Sequence, residues 1–178
     1  MAAALEAIEA VGAGRPLGPV LHRALAARPR LGPGERRHAA AAARGVARWL
    51  RVCDAALGHA RGPRQAIPAD RALLRYLAWR VAVLGEPAAA VAGELRLPGP
   101  RRPRALSDAE LLAVARALPR PGPAGPLASR AGGEPIAPPS DPVTALALRH
   151  SVPDFLAGRL RSALGPQEAE ACLAALNR

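Results

Sequence analysis

The stretch Leu31–Leu57, LGPGERRHAAAAARGVARWLRVCDAAL, decides the reading of this chain. At roughly 100° per residue it predicts one helix with two opposed faces. Ala42, Val46, Trp49, Leu50, Cys53 and Leu57 fall in one apolar stripe. Arg37, Arg44, Arg48 and Arg51 fall in a narrow arc opposite it. The first face can join a helical core. The second offers guanidinium groups to solvent, a natural counter-surface for phosphates.

The surrounding charge strengthens that expectation. All 25 basic residues are arginine, which reflects a GC-rich coding sequence rather than a functional choice. Their placement is more telling. From Ala13 to Val52 there are nine arginines and one acid, Glu35, so this window carries +8 of the net +11. Coding bias accounts for arginine over lysine but not for the exclusion of acids. An anionic partner accounts for that exclusion. The expected contacts are Arg28, Arg30, Arg36, Arg37, Arg44, Arg48 and Arg51.

Working outward, apolar spacing predicts helices over Ala3–Val11, Leu17–Ala27, Asp70–Leu84 and Pro87–Leu95. The segment 70–84 is the most apolar, with Leu73, Leu74, Leu77, Ala78, Val81 and Leu84 pointing inward at the centre of a bundle. Ser107 and Glu110 form a capping box that opens a helix to Leu118. From Pro119 to Pro142 half the residues are proline or glycine, which reads as a linker or extended arm outside any core. Short helices follow over Val143–Arg149, Val152–Leu164 and Pro166–Leu176, with Asp141 capping the first and Ser151 the second. No segment has strand period, so the expected class is all-α with no sheet. The domain division is 1–118, 119–142 and 143–178.

The chemistry search returns little. No G-x-G-x-x-G follows a strand, and no phosphate-binding P-loop is present. His22, His38, His59 and His150 lack partners at metal-ligand spacing, so neither a metal nor a catalytic site is expected. Cys53 and Cys172 lie on expected core faces and read as buried small hydrophobes in a reducing, cytoplasmic setting. Asp154 suits the first turn of a helix, next to the positive end of its dipole. Arg101, Arg102 and Arg104 form a second basic cluster in a proline-rich loop. No apolar run reaches the ~20 residues of a membrane span, and the N-terminus lacks the early charge of a secretory signal.

Four segments together resemble a known family: GRPLGPVLHRAL (14–25), residues 31–58, LLRYLAWRVAVLGEP (73–87) and residues 146–178. They look like the N-terminal region of RsmB-type bacterial ribosomal RNA cytosine-5 methyltransferases. The R-G-V-x-R-W-L pattern at 44–50 and H-S-x-P-D-[WF]-L at 150–156 are its most specific parts, with Phe155 where the family usually has tryptophan. The resemblance implies a NusB-like helical bundle that binds small-subunit ribosomal RNA. It implies S-adenosylmethionine only for a catalytic domain not encoded here, since neither cysteine sits in a proline–cysteine motif. By itself this chain is expected to have no cofactor and no methyltransferase activity. A catalytic methyltransferase domain or a ribosomal protein is the implied protein partner. The alternatives are a free-standing antitermination-type RNA-binding factor acting with a protein partner, and a protein-interaction bundle whose arginines reflect coding bias alone.

Overall fold

The computed structural model describes residues 1–61, 68–95, 106–122, 125–129 and 133–176. Its architecture is all-α, with ten helices and one two-stranded hairpin among those residues. The helices are α1 (Ala2–Gly12), α2 (Leu17–Ala26), α3 (Pro33–Arg48), α4 (Leu50–Arg61), α5 (Pro68–Ala78), α6 (Ala88–Glu94), α7 (Asp108–Ala117), α8 (Pro142–His150), α9 (Asp154–Leu164) and α10 (Pro166–Leu176). The strands are β1 (Arg120–Gly122) and β2 (Gly125–Ser129).

The apolar helix lies where its composition requires. α5 packs against α1, α3 and α4. Leu74, Leu77, Ala78 and Val81 are fully buried in a core shared by α1 to α7. Alanines dominate this core, so helices approach closely. Gly45 of α3 shows how closely, because a Cβ placed there would lie 2.3 Å from the Trp79 ring. A smaller cluster, Ala7, Leu21 and Ala43, seals α1 to α2 and α3. A separate core of Leu146, Ala147, Ala157, Ala169 and Leu173 holds α8 to α10 together.

Four expectations need correction. The helix of Leu31–Leu57 is two helices. Trp49 leaves α dihedrals (φ −106°, ψ 23°), one turn after the glycine on which Trp79 packs. The helix expected over 70–84 ends in a π-turn at Trp79–Val83, where the Leu84 amide reaches back five residues to the Trp79 carbonyl. Val81 and Ala82 are buried in that turn, but Leu84, expected to point inward, is exposed where the helix has ended. Arg80 leaves the turn on its other side, where it pairs with Glu86 and Glu94 and lies 5.9 Å from the Tyr76 ring centroid.

The third correction is the hairpin. Arg120 pairs with Ser129 and Gly122 with Gly125 in an antiparallel arrangement within the proline-rich segment. So short a ribbon leaves positions where the missing N–H of a proline costs no ladder bond, and β2 is met on its far side by the Ile136 amide, which donates to the Ala128 carbonyl at 3.2 Å. The segment also joins the core, because Leu118 and Pro119 are buried and Leu127 packs against the main cluster. The fourth is Ser151. It does not cap α9, whose N-cap is Pro153. It ends α8 in the left-handed region (φ 56°), with the Val152 amide donating to the Ala147 carbonyl at 2.9 Å.

The caps at Ser107 and Asp141 form as the sequence predicts. The loop 97–104, with its basic cluster, lies outside the described residues.

Cys53 is fully buried and Cys172 half-buried. Burial, and then the neighbouring Asp54 carboxylate, push the Cys53 thiol far above the usual range. Cys53 should therefore stay unreactive toward a disulfide reagent such as Ellman's until the chain unfolds. The native protein is expected to titrate at most one thiol, the denatured protein both. Two fast native thiols would place α4 outside the core.

Candidate nucleic-acid interface

The arginine row is built on α3. Proline at its first position and Glu35 at its third open the helix, and the Glu35 carboxylate accepts from the Gly32 amide at 2.8 Å. The one acid of the basic window is thus committed to capping. Ala39, Ala42, Ala43 and Val46 bury one face of α3. Arg37, Arg44 and Arg48 stand exposed on the other. Ideal helix geometry puts these three within about 40° of one another, along a ridge of about 16 Å.

The seven arginines are not equivalent. Arg37 and Arg44 have no hydrogen-bond or ion-pair partner among the described residues, and neither does Arg30 in the loop after α2. Arg28 is a structural tie. It donates to the Ala24 carbonyl at 2.7 Å and pairs with Glu6 of α1 at 2.9 Å. Arg36 is another, and it closes the end of α2. Its guanidinium donates to the carbonyls of Leu31 (3.0 Å), Arg28 (3.1 Å) and Leu25 (3.3 Å).

The helix break divides the row. Arg51 lies beyond Trp49, on α4. It donates to the Val152 carbonyl at 3.1 Å and to Asp154 Oδ1 at 2.6 Å. Arg48 donates to the Leu176 carbonyl at 2.9 Å. These two side chains therefore hold α9 and α10 against the α3–α4 corner. Asp154 does lie in the first turn of α9, as expected, but it also anchors that corner.

Other charged contacts had no sequence signature. Arg75, almost fully buried, grips Asp54 with two hydrogen bonds of 2.7 and 2.8 Å. His150 Nε2 and Arg149 both meet the Glu170 carboxylate, at 2.8 and 2.9 Å. Burial pushes that carboxyl up, but the bonds from His150 and Arg149 outweigh it and hold the group below its ordinary range. All these partners are far apart in sequence, where periodicity carries no information. No group of three His, Cys, Asp or Glu side chains among the described residues could hold a metal ion. No described helix is long and apolar enough to cross a membrane.

The site is therefore a basic ridge: two unpartnered arginines, a third with one exposed backbone contact, and no acid on the ridge itself. Such a surface can neutralise phosphates and position a polyanion. No family model, curated protein or solved structure matches this chain.

Proposed function

We propose that the chain binds RNA through the α3 ridge. The observation that carries the reading is the placement of Arg37, Arg44 and Arg48 on one exposed helix face within an acid-poor window. The segments resembling RsmB-type enzymes support a narrower form, in which the chain is a NusB-like module that docks small-subunit ribosomal RNA for a cytosine-5 methyltransferase domain in the cytoplasm. In that form the chemistry and its S-adenosylmethionine belong to the partner domain, and this chain supplies positioning. The C-terminal helices favour this form over a free-standing antitermination factor, because the 146–178 segment resembles the methyltransferase branch.

Arg37 and Arg44 are the clean probes. They are exposed and have no partner among the described residues, so R37Q/R44Q should leave the fold intact. Affinity for a small-subunit ribosomal RNA hairpin, measured against salt, should lose about 1.4 from its log–log slope, at roughly 0.7 per phosphate contact on single strands. The weakening should be similar for unrelated sequences, because phosphate contacts position rather than specify. An unchanged slope in a folded double variant would leave the ridge as a solvated surface.

A further inference from the structure

One aromatic ring in this protein is left out of every core. Trp49, Tyr76 and Trp79 all pack in the main cluster. Phe155 is 70 % exposed at the start of α9. Its place is fixed by its neighbours. Arg51 holds the Val152 carbonyl and the Asp154 carboxylate on either side of Pro153, so the first turn of α9, which carries Phe155, is tied to α4 just past the end of the α3 ridge. Arg159 lies four residues further along α9. It is exposed and has no partner among the described residues. Residues at that spacing are neighbours on a helix surface. An exposed phenylalanine with a free guanidinium beside it, next to a basic ridge, combines what an unpaired nucleotide needs. It offers a flat apolar face for the base and positive charge for the phosphate.

We propose that Phe155 is a stacking platform for an unpaired nucleobase, with Arg159 taking the adjoining phosphate. The inference rests on the RNA reading of the α3 ridge and deepens it. The preferred RNA is single-stranded, or a loop, where its path leaves the ridge. A duplex hides the faces of its bases and cannot use the ring. Stacking on phenylalanine adds no hydrogen bonds, so the site tolerates any base. A protein partner fits less well. Apart from Leu164 and Leu176 no other large apolar side chain of α8 to α10 is exposed, and the nearest residue at helical spacing, Arg159, is a cation suited to phosphate.

The test uses the full chain with two labelled probes, an oligouridine single strand and a blunt, fully paired two-stranded RNA duplex, with F155A and F155W compared to the parent protein. F155A should bind the single strand about 5- to 100-fold more weakly. Its affinity for the paired duplex, its salt slope and its thermal midpoint should be unchanged. F155W should restore single-strand binding, and its fluorescence should be quenched by the oligonucleotide in a way that F155A cannot reproduce. Equal loss on both probes would overturn the proposal. So would no loss on either, which would leave the ridge reading standing and assign the ring to a protein contact. If the parent protein binds neither probe, the ridge reading and the platform fall together.

Discussion

Leu77→Ala should lower the free energy of unfolding by about 2–5 kcal/mol. Leu77 is completely buried near the C-terminal end of α5, the helix that touches α1, α3 and α4. Much of the surrounding core is alanine, including Ala4, Ala42, Ala56 and Ala78. Alanine has no rotamers with which to fill a void. Helix backbones would have to move instead, and close contacts such as Gly45 on Trp79 resist that. The loss should therefore fall in the upper half of the range. Urea unfolding with an unchanged m-value measures it cleanly. A loss under about 0.5 kcal/mol, well short of the cavity cost of a buried leucine, would show that α5 is not the centre of the bundle.

Asp54→Ala should be the most damaging change at a partly exposed position. The Arg75 side chain is only 8 % exposed, whereas that of Asp54 is 45 % exposed. Removing the carboxylate leaves a guanidinium buried without its charge partner, and breaking a buried pair in this way costs about 3–5 kcal/mol. Water can enter through the space left by Asp54, so we expect about 2–3 kcal/mol, below the cost of breaking a fully buried pair. Arg75→Met, which removes the buried charge itself, should be much milder. The guanidinium also occupies the space over Gly12, where a Cβ would lie 1.7 Å from Arg75 Nη1. Gly12→Ala should thus disturb the same contact, and its combination with Asp54→Ala should be less than additive. If Asp54→Ala and Arg75→Met proved equally mild, the pair would contribute nothing to the stability of the bundle.

Legibility in the sequence followed the range of the interaction. Local periodicity placed α1, α2, α6 and α7 within one or two residues, because helix spacing and caps act over a few positions. The burial of Leu74, Leu77 and Val81 was legible for the same reason. The bend at Trp49 was not, because no proline stands there and the indole that packs one turn earlier comes from Trp79, thirty residues away. The hairpin at 120–129 was hidden by its prolines, which signal a linker unless they fall where the ladder needs no N–H. For the candidate interface, the ridge of Arg37, Arg44 and Arg48 could be read from spacing alone. The diversion of Arg51 to Asp154 and of Arg36 to the end of α2 could not. Each is a contact to a distant carbonyl or carboxylate, and both look like solvated arginines until the chain is folded.

The C-terminal trio of helices has a bearing on heredity as well as on mechanics. Five buried side chains make a core too small to stand alone, since chains below about 40 residues rarely fold without help. Part of that help comes from two codons more than a hundred positions upstream, those of Arg48 and Arg51. A tail passed between genes as a cassette would lose the bonds those arginines donate. A recombination that grafts residues 142–176 onto another helical bundle keeps them only where the host also carries a pair of arginines at a helix corner.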